Sequence, residues 1–480
     1  MASVIQNKKS KEKCQIFTPD DIVKEILDNI GYVDSLYGKT ILENACGNGR
    51  FLKEIVRRYI IDAQKHGLSR TKIKNGLGRD IFGIELDNEL YNECITALNS
   101  ITDSFGLKRV CWKIKQADAL RDPFSTTFDF VVGNPPYVSY WDLEKSEREF
   151  IEKKYTVCQY GAWDYFYAFL QDGYNHLNAT GKMAYIIPNS VFKTKSGRKI
   201  RELLKPNLTK VLDFTSTNVF ETVLTSPAII VIDRVPKSEE IVYQDISAKR
   251  QFLVNRSTLN DEWLFGLQKQ STVLKYRFGD YFRVATSVAT QCNDVYVLAH
   301  CSDNGTYFLY ENHKIEKEIV RKAASPRSKA KGVEEYIIFP YYYCDGILKH
   351  YAEMTFKEKF PFAYEFLESK KDQLSKRAAD KNSQWFEYGR SQALMYINQN
   401  KLLMSTVITG KVNVYPLDAE EVPYSGVFIS VKEHANDLSL TEAMNILKSP
   451  EFLAYILPRG INAKGNSIRI TARDISNYCW

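Results

Sequence analysis

Between residues 20 and 235 the hydrophobic pattern switches repeatedly between two periods, and this constrains the fold more than any other feature of the chain. "DDIVKEILDNI" (20–30) sets Ile22, Val23, Ile26, Leu27 and Ile30 at helical spacing. "FTPD" leads into it, with Thr18 as candidate cap and Pro19 in the first turn, where a missing N–H is harmless. "TILEN" (40–44) then reads as a short strand and "GRFLKEIVRRYIIDAQKH" (49–66) as an amphipathic helix. "FGIEL" (82–86) is a strand and "NELYNECITALNS" (88–100) a helix. "VCWKIKQAD" (110–118) and the nearly all-apolar "FDFVVGN" (128–134) are strands, the latter buried on both faces. "AWDYFYAFLQDGYNHL" (162–177) is a helix, and "GKMAYIIPN" (181–189), "KVLDFTS" (210–216) and "SPAIIVIDRV" (226–235) close the series as strands. Strand–helix alternation over this length predicts an α/β fold, a mainly parallel sheet with helices on both faces. Ligands of such sheets lie beyond the carboxyl ends of the strands. The last two strands have no clear helix between them and are expected to form an antiparallel edge.

After Pro236 the pattern changes. "PKSEEIVYQDISAKRQ" is charged and linker-like, and the remainder of the chain mixes short strands, aromatic clusters and short helices. A boundary near 236–250 is expected, dividing the chain into 1–240 and a mixed α+β region, 241–480. Two domains also suit 480 residues, which exceed one ordinary core.

Composition is that of a globular protein, 44% apolar and 26% charged. No run approaches the roughly 18 apolar residues of a membrane span, so no membrane partner is expected. "MASVIQNKKSKEKC" has no apolar signal core, which predicts a cytoplasmic protein. Nine scattered cysteines without a C-x-x-C pair point to reduced thiols, with no metal site expected. The net charge of +7 is compatible with a polyanionic partner without demanding one. "KTKSGRKIR" (193–201), with Lys193, Lys195 and Arg198, and "RKAASPRSKAKG" (321–332) are candidate phosphate contacts; solvated surface is the alternative for both.

The chemistry gathers at the strand ends. "ENACGNGRFL" (43–52) follows the first strand, and its small residues let a ligand approach the backbone. Glu43 there would repel a pyrophosphate and attract an amino group. Glu85 ends the second strand, where a carboxylate can accept from ribose hydroxyls. Asp118 ends the third, where it can accept from an adenine amino group. Each alone could be a cap or a solvated strand end. Together they suit a nucleoside carrying a free amino acid and no phosphate, which describes S-adenosylmethionine. "NPPY" (134–137) ends the fourth strand. An amino group on an aromatic ring is a poor nucleophile, because its lone pair is delocalised. The Asn134 side-chain oxygen and the Pro135 carbonyl can each accept one of its N–H bonds and draw the nitrogen toward tetrahedral geometry. Pro135 and Pro136 stiffen the loop, and Tyr137 offers a ring for a flat base to stack on. Catalysis would be by positioning and preorganised dipoles.

The order "IFTP" (16–19), "ENACGNGRFL", Glu85, "QAD" (116–118), "NPPY", "GKMAYIIPNSVF" (181–192) and "VFETVLTSPAIIVI" (219–232) resembles the γ class of S-adenosylmethionine-dependent DNA adenine methyltransferases of restriction–modification systems. "VATQCNDVYVLA" (288–299), "IEKEIVRKA" (315–323), "FPYYYCDG" (339–346), "FLESKKDQLSKR" (366–377) and "WFEYGRSQ" (385–392) resemble the TaqI-type specificity domain. The resemblance implies a Rossmann-like methyltransferase sheet followed by a target-recognition domain. It implies that Thr18 and Pro19 close over the cofactor, that Glu43, Asn44, Ala45 and Gly47 line its methionine part, and that Glu85 and Asp118 hold ribose and adenine. Asn134, Pro135 and Tyr137 would hold a flipped target adenine, with Phe220 on its other face; read alone, Phe220 is a core residue. The chain departs from the pattern at Ala119, where relatives often carry a larger side chain. Cys46, in the cofactor loop, reads as a packed thiol.

A buried base must be flipped out to react, and a second domain must choose the sequence. "WFEYGRSQ", with Arg390, is the favoured contact region there; a core-forming aromatic turn is its alternative. The expected partners are double-stranded DNA, bound by a monomer, and a cognate restriction endonuclease acting separately. Other readings are a methyltransferase for RNA or for a protein glutamine, a combined restriction–modification enzyme with nuclease activity, and a non-enzymatic DNA-binding module. With so short a stretch ahead of the cofactor motif, no nuclease domain is expected in front of it.

Overall fold

The computed structural model describes residues 18–215, 226–265, 276–433, 438–463 and 467–480. The chain divides into two compact units, residues 1–268 with 462–465 and residues 269–461 with 466–480.

The first unit runs α1 (Asp20–Asn29), β1 (Ile41–Glu43), α2 (Arg50–Lys65), α3 (Arg70–Asp80), β2 (Ile81–Glu85), α4 (Asn88–Ser104), β3 (Lys113–Gln116) and β4 (Phe128–Gly133). It continues with α5 (Lys145–Lys154), α6 (Phe166–Asn175), β5 (Leu177–Pro188), α7 (Arg198–Leu204), β6 (Leu208–Asp213), β7 (Pro227–Asp233), β8 (Glu240–Asp245) and β9 (Arg250–Asn255). The strands form one sheet in the order β3-β2-β1-β4-β5-β7-β6-β8-β9. From β3 through β5 all neighbours are parallel.

Side-chain alternation along the strands separates two cores, as a two-faced sheet requires. Met183, Tyr185 and Ile187 of β5 join one core with Phe166, Leu170, Ile200 and Leu204 of α6 and α7. Ala184 and Ile186 join the other, with Ile26, Ile55, Leu77 and Leu98 of α1 to α4. The residues expected on the inner face of α1, Ile22, Val23, Ile26 and Leu27, are buried.

Two details differ from expectation. The β6–β7 pair is antiparallel, but β7 lies between β5 and β6 and all of it except Asp233 is buried. The sheet then extends beyond β6 through β8 and β9, so the boundary expected at 240 falls within a strand pair of the first unit. The charged lead "PKSEE" masks the alternation of Ile241 and Tyr243, which are buried on one face of β8. Helices α3 and α5 have no clear periodic signal in the sequence, because "TKIKNGLGRD" and "KSEREFIEKK" carry few apolar residues.

The second unit is mixed α+β, as expected. One sheet pairs Phe282–Thr286, Val427–Val431, Lys401–Met404 and Val414–Leu417 in that order. Another pairs Val297–Leu298, Glu335–Ile338, Val320–Ala324 and Val422–Pro423. An aromatic core that includes Tyr296, Phe339, Tyr341, Phe356, Phe386 and Tyr388 packs against the second sheet. No described helix is long and apolar enough to cross a membrane.

Candidate active site

The carboxyl ends of β1, β2, β3 and β4 lie side by side. Glu43 pairs in register with Gly83 of β2 and with Val132 of β4, and Glu85 pairs with Gln116 of β3. The acid-tipped ends and the loop that begins at Asn134 therefore share one edge of the sheet.

Glu85 is the hub of this edge. Its Oε2 accepts the Gly47 N–H at 2.7 Å and its Oε1 accepts the Asp87 N–H at 2.8 Å. Its backbone carbonyl accepts from Ala117 at 2.9 Å, while Cys46 N–H reaches the Ile84 carbonyl at 2.9 Å. The loop after β1 and the loop after β3 are thus both moored to the tip of β2. Burial moves the Glu85 pKa up, although these backbone donors favour its charge. Gly47 and Gly49 have φ of 52° and 81°, a region that glycine enters without strain. A Cβ on Gly49 would stand 2.7 Å from Cys94 Sγ. The turn leading into α2 therefore depends on that bare backbone.

Glu43 is 2% exposed, and its Oε2 has no hydrogen-bond partner among the described residues. Burial, with the neighbouring Cys94 and Glu85, holds its pKa well above the ordinary carboxylate range. A buried carboxylate oxygen without a partner is costly, and a cationic ligand is the natural complement. Asp118 is half-buried; its Oδ1 accepts the Leu120 N–H at 2.9 Å and its Oδ2 stands 3.2 Å from Arg121 Nε. Thr18 is buried just before α1, and Pro19 directly precedes that helix. Ala45 is half-buried, while Cys46 and Ala119 are buried.

Asn44 behaves differently from its neighbours. Its Nδ2 donates to Asp172 Oδ2 at 3.0 Å, and its Oδ1 accepts from the Tyr185 hydroxyl at 2.5 Å. Both ends of the amide are engaged inside the protein and the residue is buried, which favours the backbone of Asn44 as the part that faces a ligand.

At the tip of β4, Pro135 is buried and Asn134, Pro136 and Tyr137 are half-buried. The Tyr137 hydroxyl donates to the Ile186 carbonyl of β5 at 3.0 Å. Burial drives its pKa well up, so it remains a neutral donor. The ring meets Phe166 edge-on at 6.0 Å. Further along, Val138 carbonyl accepts from Tyr165 N–H at 2.9 Å, and Ser139 and Asp164 form an antiparallel bridge. The loop is fastened at Tyr137 and again at Val138 and Ser139. Burial raises the Asp164 carboxyl pKa to about 6.

The basic candidates are scattered by exposure and pairing. Lys195 is exposed and Lys193 half-buried. Arg198 is held by Glu202 at 2.8 Å, and Arg390 by Asp380 at 3.0 Å. Phe386 and Tyr388 of "WFEYGRSQ" are buried, so the core-forming alternative describes those two. Phe220 lies outside the described residues. Among the described residues, Asp34, Asp62 and His66 approach one another as metal ligands would. The Asp62 carboxylate, however, already accepts from Ser35 and Leu36 N–H, and Asp34 pairs with Lys65.

Sequence reasoning did not identify Asp164, Asp172 or Tyr185. One signal was present: "LQDGY" sets two polar residues and a glycine inside the otherwise apolar α6.

Residues 59–220 match the family model described as the Eco57I restriction-modification methylase. The chain is 25% identical over 498 residues to the Type II restriction enzyme and methyltransferase RM.Eco57I of Escherichia coli, covering 82% of this chain and 49% of that protein. It is 31% identical over 232 residues to the Type II methyltransferase M.BstVI of Geobacillus stearothermophilus, covering 45% of this chain and 41% of that one. The chain thus spans about half the length of the curated relatives it matches. Among solved structures, the Type IIL restriction-modification enzyme MmeI, in complex with DNA, aligns with a TM-score of 0.62 at 14% identity, covering 99% of this chain and 67% of that one. At that identity the likeness concerns the fold. The stretch that matches this family model, residues 59–220, spans β2 to β6 and includes Glu85, Asp118 and the Asn134 loop.

Proposed function

We propose that the chain is a restriction–modification DNA methyltransferase that transfers a methyl group from S-adenosylmethionine to the exocyclic amino nitrogen of a flipped adenine in duplex DNA. One observation carries this reading: three carboxylates, Glu43, Glu85 and Asp118, and the Asn134–Tyr137 loop end adjacent strands on one edge of the sheet.

The donor set fits the cofactor. The partnerless Glu43 oxygen suits an ammonium group. Glu85 and Asp118 each keep lone pairs beyond those used by backbone donors, for hydroxyls and an amino group. When bound, S-adenosylmethionine supplies an electrophilic methyl group. Glu43, Ala45 and Gly47 would line its methionine part, Glu85 its ribose and Asp118 its adenine, with Thr18 and Pro19 closing over it. The Asn44 contribution is through its backbone, since its amide is bound internally.

The target amine is activated by placement. Asn134 Oδ1 and the Pro135 carbonyl each accept one of its N–H bonds, so its lone pair is released from the ring and directed at the methyl carbon. The surplus proton of the methylated amine passes to water. Tyr137, anchored through its hydroxyl, keeps its ring for the base. Phe220 is proposed on the opposite face of that base.

The order of motifs supports the γ arrangement, with residues 1–240 as the core of the catalytic domain and the second unit as a TaqI-like target-recognition domain. Lys193, Lys195, Arg198 and Arg390 are proposed phosphate contacts; Lys195 is exposed, and Arg198 and Arg390 each have a carboxylate partner. The protein acts as a monomer on double-stranded DNA, in the cytoplasm, with a separate cognate endonuclease.

The Escherichia coli relative, a Type II restriction enzyme and methyltransferase, favours one second reading, in which this protein is a combined restriction–modification enzyme with nuclease activity. The deciding experiment methylates a random-sequence duplex library and maps modified adenines by single-molecule sequencing. Asn134→Ala serves as control and should abolish transfer while still binding S-adenosylmethionine. Unmodified adenines throughout, or full turnover by Asn134→Ala, would refute the reading. Metal-dependent cleavage of the unmethylated library would establish the second one.

A further inference from the structure

A buried polar chain runs behind the carboxyl edge of the sheet, and the mechanism above does not use it. Its centre is Asp172, on the second turn of α6 and 4% exposed. One carboxylate oxygen, Oδ2, accepts from Asn44 Nδ2 at 3.0 Å. The other, Oδ1, faces the Tyr155 hydroxyl at 3.4 Å, and that same hydroxyl stands 3.2 Å from the Leu120 carbonyl, so its one proton is shared between them. Lys154 Nζ also donates to the Leu120 carbonyl. On the far side, the Tyr185 hydroxyl donates to Asn44 Oδ1 at 2.5 Å.

The chain joins places that are remote in sequence and adjacent at the site. Asn44 follows Glu43 in the loop after β1. Leu120 is two residues past Asp118, in the loop after β3, and its N–H is the donor to Asp118 Oδ1. Tyr185 pairs in register with Gly133, the residue before Asn134, and a Cβ on Gly133 would stand 3.3 Å from its ring. Gly173, inside α6, has the same meaning. A glycine there weakens a helix, yet a Cβ would stand 2.7 Å from the Tyr185 hydroxyl. The helix gives up a side chain where this hydroxyl needs room. His176 completes the chain: one ring nitrogen lies 3.5 Å from Asp172 Oδ2 and the other 2.9 Å from the Phe124 carbonyl.

We propose that Asp172 is a positioning residue that couples the loop after β1 to the loop after β3, so that the two halves of the cofactor site are set as one body. The inference rests on the S-adenosylmethionine site proposed above. A buried, fully partnered network has discrete geometry. Loosening it at either end leaves the loops of Glu43 and Asp118 joined only through the tip of β2, and a ligand that must touch both then binds less tightly.

The test uses two variants on the path between the loops, Tyr155→Phe and Asp172→Asn, and their combination in the full chain. Affinity for S-adenosylhomocysteine and for duplex DNA is measured by calorimetry, alongside thermal midpoints. Each single variant should weaken S-adenosylhomocysteine binding about five- to tenfold. The double variant should be within about twofold of the weaker single, because both cut one linkage. DNA affinity should change less than about twofold. Cofactor affinity kept within about twofold of the parent while the thermal midpoints fall would overturn the proposal and leave a core network only. Losses that multiply in the double variant would also overturn it, as two independent contacts. If the parent chain binds no S-adenosylhomocysteine, the site assignment itself fails, which is a distinguishable result.

Discussion

The Tyr137 hydroxyl donates a hydrogen bond to the Ile186 carbonyl at 3.0 Å, tying the proline loop after β4 to the neighbouring strand β5. The bond fixes the height and tilt of a ring that is otherwise reached from solvent. Since burial keeps the phenol neutral far above physiological pH, the anchor persists wherever the protein is folded.

Tyr137→Phe keeps the ring and loses the anchor. The expected result is a fall in kcat of about tenfold, the worth of one hydrogen bond, with cofactor affinity unchanged. Tyr137→Ala also removes the stacking surface and should lower kcat/KM by a further factor of about ten or more. Steady-state methylation of duplex DNA checks both; equal rates for Phe and the parent would mean the hydroxyl does not orient the ring.

Glu43 sets stability against ligand affinity. Its folded pKa lies above the ordinary carboxylate value, so the folded state holds its proton after the unfolded chain has released it. Stability is therefore lost as pH rises from the ordinary carboxylate range through the raised pKa. Glu43→Gln should raise the thermal midpoint at pH 7.5 and leave it nearly unchanged at pH 4. It should also weaken S-adenosylmethionine binding by about tenfold or more, because the partner of the ammonium is gone. In the parent chain that binding should tighten as pH rises through the Glu43 pKa.

Asp164, whose backbone bridges to Ser139, provides a second pH test away from the cofactor. Burial raises its pKa to about 6. The sign is the same as for Glu43: its unfavourable contribution appears as pH rises from the ordinary range toward 6 and stays constant above. Asp164→Asn should raise the thermal midpoint by a few degrees at pH 7.5 and by much less at pH 4. A scan across pH decides it, and a midpoint lowered at pH 7.5 would mean that the charge has a stabilising partner.

The basic residues should separate by their existing partners. Lys195 is exposed, whereas Arg198 and Arg390 are each bound to a carboxylate. Lys195→Ala should weaken DNA binding uniformly across sequences and reduce the salt slope by about one counterion. Arg198→Ala and Arg390→Ala should each change affinity by less than about threefold. Salt titrations of DNA binding by the three variants distinguish the outcomes.

The residues legible in the sequence are those whose meaning is local. Glu43 and Glu85 end apolar strands, the Asn134–Tyr137 run follows another, and Asp118 stands two residues past the shorter, more polar β3, so their place at the carboxyl edge could be read from local pattern. What escaped reading depends on partners far along the chain. Asn44 looked like a ligand contact because it stands beside Glu43, yet its amide is engaged by residues 128 and 141 positions away. Arg198 stands in a basic run, yet its guanidinium is already paired with Glu202 one helical turn on. "WFEYGRSQ" was favoured as a surface, but Phe386 and Tyr388 fill the core of the second unit.

The sequence by itself determined the alternation of strands and helices, the chemistry at the strand tips and the stiffness of the proline loop, because periodicity, side-chain type and proline geometry act over a few residues. Only the tertiary structure decided which of those groups are free to meet a ligand. Burial, hydrogen-bond partners and sheet order are set by segments brought together from distant parts of the chain. The insertion of β7 between β5 and β6, the internal bonding of Asn44 and the partnerless oxygen of Glu43 all arise in that way.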